Sequence, residues 1–127
     1  MEARPHLKAD KNNGLLTFLD YFEKHAAERP DDTYLGTRRK IYDPQDSTKV
    51  TGCGEYEWQT YSQIQKIVQN LGRGMTKLGL ANVSEGDDKK WKFVGIWSKN
   101  RWEWLATHIA NMYFNHTSIG FFDSMGV

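Results

Sequence analysis

Phe93-Val94-Gly95-Ile96-Trp97-Ser98-Lys99-Asn100-Arg101-Trp102-Glu103-Trp104 changes character at its midpoint. Phe93 to Trp97 is an apolar run with the length of a single buried strand. Ser98-Lys99-Asn100 is polar. Beyond it the apolar positions Trp102, Leu105, Ala106, Ile109, Met112 and Tyr113 fall on one face of a helix. A second apolar run, Ile119 to Phe122, comes next. Strand, helix and strand within about 30 residues predict a βαβ crossover, two parallel strands with a covering helix.

Upstream of that unit the pattern is helical again. Thr60 and Gln63 have the spacing of a capping box, and Ile64, Ile67, Val68, Leu71, Met75 and Leu78 follow at helical intervals. Gly72 and Gly74 each cost about 1 kcal/mol relative to Ala inside a helix, so the spacing predicts close packing against a neighbour. Gly79 stands where a helix commonly ends in the left-handed conformation. Ala81 to Lys90 reads as a solvated, charged connector.

Nearer the start, Leu15, Phe18, Leu19, Phe22 and Ala26 share a helical face. Thr17 with Asp20 marks the helix start, and Arg29-Pro30 its end. Thr33-Tyr34-Leu35-Gly36, the basic Arg38-Arg39-Lys40 and Glu55-Tyr56-Glu57-Trp58 read as an antiparallel hairpin over 33–58, closed by a long polar loop. Tyr56 and Trp58 alternate as on a half-buried strand. Residues 1–13 form a polar arm. The expected fold is therefore α/β: an N-terminal helix, an antiparallel hairpin, then a helix and a βαβ unit. The second parallel strand is followed by only Asp123-Ser124-Met125-Gly126-Val127. Parallel strands are normally covered on both faces, so 14–127 reads as an incomplete portion of a larger domain.

Composition excludes several classes. The 127 residues carry 17 Lys and Arg against 16 Asp and Glu, which gives no field for nucleic acid. The lone Cys53 rules out an internal disulfide and fits a reducing compartment. No apolar run reaches the roughly 18–20 residues of a membrane helix, and the charged Met1–Lys8 has no apolar segment behind it. The expectation is an intracellular chain, cytoplasmic or peripheral on a membrane, with no transmembrane segment.

Chemistry-bearing residues are sparse. Ser98-Lys99-Asn100-Arg101 lies between strand and helix, where anions often bind, but lacks the glycines of a phosphate loop. As a cap it needs only Asn100, with Glu103 three residues on. His6, His25, His108 and His116 have no metal-ligand spacing. Cys53 has no nearby His to activate it. Arg38-Arg39-Lys40 suits a phosphate or an edge-protecting strand face. Trp91, Trp97, Trp102 and Trp104 suit a ligand platform or packing at the strand-to-helix corner.

The order of short motifs resembles the N-terminal region of the long-chain acyl-CoA synthetases (long-chain fatty acid–CoA ligases) of the adenylate-forming, AMP-binding superfamily. Five pieces carry the likeness, covering about residues 15 to 126. They are Glu28-Arg29-Pro30 leading to Tyr34-Leu35-Gly36-Thr37-Arg38; Tyr56-Glu57-Trp58-Gln59-Thr60-Tyr61; Leu71-Gly72-Arg73-Gly74-Met75 with Leu78-Gly79; Val94 to Trp104; and Phe121-Phe122-Asp123-Ser124-Met125-Gly126. Trp102 stands where the family often has Pro.

The resemblance implies a two-step ligase reaction. A fatty acid carboxylate attacks the α-phosphate of ATP, releasing pyrophosphate, and the CoA thiol then displaces AMP, with Mg²⁺ assisting. The family's catalytic signatures lie beyond the matched region. No catalytic, cofactor-binding or metal residue therefore carries over, and the chain alone is expected to be inactive and to hold no cofactor. Asn100, Arg101, Glu103 and Trp104 become cap, ion pair and core. The expected partners are fatty acid, ATP and CoA for the whole enzyme, and the remainder of the ligase chain for this piece. The other reading is a non-catalytic interaction module whose open sheet needs a partner.

Overall fold

The computed structural model describes residues 14–86 and 88–121. The arm expected over 1–13, with His6, and the closing residues 122–127 lie outside the described residues. Two helices begin where the sequence places capping boxes. Thr17 caps α1 (Phe18–Glu28), its hydroxyl accepting from Asp20 N–H at 3.2 Å while Asp20 Oδ2 accepts from Thr17 N–H at 2.7 Å. These hydrogen bonds, the Thr17 hydroxyl first, hold the Asp20 carboxyl below the usual carboxylate range. Thr60 and Gln63 cap α2 (Tyr61–Lys77) in the same reciprocal way. Helix α2 ends as expected at Gly79, φ +65°, with Gly79 N–H donating to Thr76 O and Leu80 N–H to Met75 O, both at 3.1 Å.

Between α1 and α2 the chain forms the expected antiparallel hairpin, β1 (Thr33–Tyr42) and β2 (Val50–Thr60), with register shifts at three places. Its connection is shorter than expected because β2 begins at Val50. Tyr56 and Trp58 share a strand face, but the expected half-burial is wrong: each is 54% exposed. They stack on one another at 5.1 Å, and Trp58 lies across Gly36, where a Cβ would stand 2.6 Å from its ring.

The βαβ unit is present. β4 (Lys89–Trp97) and β5 (Thr117–Phe121) are parallel, with Val94 opposite Ser118 and Trp97 opposite Phe121, and α3 (Trp102–Tyr113) joins them. The expected connector over 81–90 is corrected. Val83–Gly86 is a third strand of the sheet, β3, antiparallel to β4. Glu85 stands opposite Lys90 and pairs with it at 3.3 Å. All four β3 residues are exposed, so no apolar alternation announces the strand. The four charges of Glu85, Asp88, Lys89 and Lys90 belong to a hairpin rather than to a linker.

Helix α3 packs between the other helices and the sheet. Phe22, Ile64, Val68, Met75, Ala106, Ile109 and Ala110 form the buried cluster, flanked by Tyr34, Leu35, Val94 and Leu105. Gly72 is buried, and a Cβ there would run into the Phe114 ring at the end of α3. The close approach expected of the α2 glycines therefore holds at Gly72. It fails at Gly74, which is exposed and has nothing within 4 Å of a Cβ position.

Candidate functional site

The C-terminal ends of parallel strands are where open α/β sheets place ligands. Here that edge is Trp97 and the turn Ser98-Lys99-Asn100-Arg101. Across from it stand Thr37, Lys40 and Tyr42 of β1. Together they line a cleft of about 690 Å³. The turn is shaped by Ser98, whose hydroxyl donates to Lys99 O at 2.8 Å. Trp97 is 73% exposed, so of the two readings open for the tryptophans, packing at the strand-to-helix corner does not account for it. Trp91, Trp102 and Trp104 are half-buried. Trp104 lies 3.4 Å from a Cβ position at Gly120, which fixes α3 against β5.

The expected cap is also corrected. Arg101, not Asn100, is the N-cap of α3, and its side chain makes no capping hydrogen bond. Its guanidinium instead grips Glu103, Nε donating to Oε2 at 2.6 Å with a second contact from Nη2 to Oε1. That pairing holds the Glu103 carboxyl below its ordinary range. A carboxylate in the first turn also suits the helix dipole. Of the three roles expected, the ion pair holds for Arg101 and Glu103, the cap at Asn100 does not, and Trp104 lies outside the buried cluster, half-buried against His108 and Gly120.

A second constellation lies outside the sequence expectations. Ser118 on β5 accepts from Asn111 Nδ2 at 2.8 Å and meets His108 Nδ1 at 2.9 Å. Asn111 is fully buried on α3. Both contacts are satisfied when the Ser118 hydroxyl donates to His108. The arrangement clamps α3 to the strand it feeds. A signal for it exists in the sequence: His108 and Asn111 are one turn apart, and Asn111 follows directly on the buried apolar pair Ile109 and Ala110. His116 is buried at the next turn, where Asn115 takes φ +54° and His116 N–H donates to Asn111 O at 2.8 Å.

Burial, with Lys92 nearby, lowers the His116 pKa from its ordinary value. The folded state therefore prefers neutral imidazole. Its contribution is fully present above the unfolded value of about 6.5 and is lost as pH falls through the lower folded value. Urea midpoints taken from pH 7.5 down to 5 are expected to fall, and the fall is expected to shrink in His116→Gln. An equal fall in both proteins would contradict this assignment.

The remaining candidates do not converge. Cys53 is an exposed free thiol on β2. His25 stands beside Tyr61, 6.0 Å between ring centroids. Arg38, Arg39 and Lys40 lie along β1, where Arg38 donates from Nε to Gly54 O at 2.9 Å and caps the Tyr56 ring at 5.7 Å. Among the described residues no group of three or more His, Cys, Asp or Glu side chains could hold a metal ion. Among the same residues no helix is long and apolar enough to cross a membrane.

No family model matches the chain, and no solved structure matches it significantly. Curated proteins do match. Long chain acyl-CoA synthetase 6, peroxisomal, of Arabidopsis thaliana is 30% identical over 112 residues, 88% of this chain and 14% of that protein. Acyl-CoA ligase 891, peroxisomal, of Penicillium brevicompactum is 31% identical over 121 residues, 95% of this chain and 16% of that protein. Fatty acyl-CoA synthetase B of Dictyostelium discoideum is 29% identical over 89 residues, 70% of this chain and 12% of that protein. The chain thus spans about one seventh of the length of such relatives. Agreement with several such enzymes over most of its residues makes this chain a member, as a segment, of the long-chain acyl-CoA synthetase family.

Proposed function

We propose that the chain is an N-terminal scaffold segment of an ATP-dependent long-chain fatty acid–CoA ligase, with residues 14–127 an incomplete portion of its AMP-binding domain. The observation that carries this reading is the relationship to long-chain acyl-CoA synthetases over 88% and 95% of the chain. The open sheet supports it. One face of β4 and β5 meets α3 through Val94, Ile96, Ser118 and Gly120. The other bears Phe93, Trp97, Ile119 and Phe121, all exposed. Parallel strands rarely leave such a face uncovered, and the remainder of a ligase would supply the cover.

In this reading the whole enzyme joins a fatty acid to CoA through an acyl-adenylate, consuming ATP with Mg²⁺, at an intracellular site. The residues present here serve that chemistry by position. The Arg101–Glu103 pair closes the first turn of α3, the Ser118 clamp holds α3 to the sheet, and the strand-end turn faces the cleft. No residue of the segment transfers a proton or binds the reacting phosphate. The purified 127-residue chain, incubated with ATP, Mg²⁺, CoA and a long-chain fatty acid, is expected to form no acyl-CoA above background. Sustained ATP-dependent turnover by this chain alone would overturn the scaffold role.

A further inference from the structure

The β1–β2 sheet has only two strands, so β1 keeps one edge unpaired along Thr33–Tyr42. Such an edge offers a row of N–H and C=O groups to an arriving chain. Apart from the ladder with β2, no backbone–backbone hydrogen bond among the described residues involves residues 33–42. This edge borders the strand-end cleft. Thr37 and Lys40 are three residues apart on one strand and so project to opposite faces, yet both line the cleft, and no described residue of β2 does. The charge around the edge has one sign. Arg38, Arg39 and Lys40 are exposed on β1, and Lys99 and Arg101 stand on the facing wall. Among the described residues no acid lines the cleft. Helix α3 starts at that wall, and its N-cap makes no side-chain capping bond, so the positive end of the helix dipole adds to the same sign.

We propose that β1 accepts an extended acidic segment of a partner protein as a third strand, laid in the strand-end cleft. Backbone hydrogen bonds to the free edge supply the affinity, and alternate side chains of the incoming strand supply the selectivity. Its carboxylates meet the cationic walls. Apolar side chains between them meet Tyr42 on one wall and Trp97 on the other, both exposed. A second copy of this chain is disfavoured as the occupant. Two β1 edges would set Arg38, Arg39 and Lys40 of one copy against those of the other, and like charges on paired strands repel. A nucleic acid would use the charge but leave the strand's N–H and C=O groups unpaired. The proposal rests on the free edge and the cleft lining and is independent of the ligase reading.

Fluorescence anisotropy tests it, with the 127-residue chain titrated into a short dye-labelled peptide of alternating Glu and Val. Binding is expected and is expected to weaken as salt rises. The matching Lys and Val peptide is expected to bind about tenfold or more weakly. So is the Glu and Val peptide methylated on its backbone nitrogens, which keeps its charge and loses its strand donors. Lys40→Glu is expected to weaken binding by about tenfold or more. Trp97→Ser on the facing wall, which leaves every charge in place, is expected to weaken it as well. Lys24→Glu on α1, the same charge change away from the cleft, is expected to bind as the parent does. Circular dichroism of each variant confirms that the fold is retained, and changes on two separate elements guard against one of them failing to fold. Absence of binding, equal binding of either control peptide, parental binding by both cleft variants, or equal loss in Lys24→Glu would overturn the proposal. So would tighter binding of a single-stranded oligonucleotide than of the acidic peptide, or a dimer of the chain that Lys40→Glu dissociates.

Discussion

Ile109→Ala is expected to lower the unfolding free energy by about 2–5 kcal/mol. Ile109 is fully buried at the middle of α3, in the cluster that joins Ile64 and Val68 of α2 to the sheet-covering helix. Removing its outer carbons takes away their transfer free energy and leaves a cavity that helices packed on two sides cannot close. Small domains have only about 5–15 kcal/mol of net stability, so the loss is a large share of the whole. Urea denaturation followed by tryptophan fluorescence measures it. A change below about 1 kcal/mol would mean that α3 is not the centre of the core.

The glycines of α2 are expected to respond in opposite directions. Gly72→Ala should destabilise by about 1–3 kcal/mol, because a methyl there displaces the Phe114 ring from its seat at the end of α3. That cost exceeds the gain of about 1 kcal/mol from replacing a helical glycine. Gly74→Ala has the same propensity gain and no neighbour to meet, so it should stabilise by about 0.5–1 kcal/mol. Denaturation midpoints of the two variants decide the matter. If both stabilise, the Phe114 contact does not constrain the helix crossing.

These two positions also show what the amino-acid order reveals. Helix limits are legible because Thr17, Thr60 and Gly79 act locally, through side-chain oxygens and a positive φ that need no tertiary partner. The βαβ unit is legible because its strand and helix periods differ. Gly72 and Gly74 look alike in sequence, and only the arrival of Phe114 from α3 separates them. β3 escapes a sequence reading because a strand exposed throughout carries no apolar alternation, and its charges mimic a linker. Large aromatics usually pack, which is the expectation that fails for Tyr56 and Trp58, because the sheet face they occupy is open. At the strand-end turn the residues are legible and one assignment is not. Arg101 takes the cap position, extended at the helix start with its side chain on Glu103, which leaves Asn100 one residue outside. The His108–Asn111–Ser118 clamp needs the parallel register to bring β5 under α3.

The most direct measurement is the messenger RNA sequence beyond the codon for Val127. A ligase segment predicts that the frame continues into a Ser/Thr/Gly-rich phosphate loop ending in Lys. A stop codon directly after Val127 would contradict it, and would make the open face of β4 and β5 the surface of a separate, non-catalytic protein.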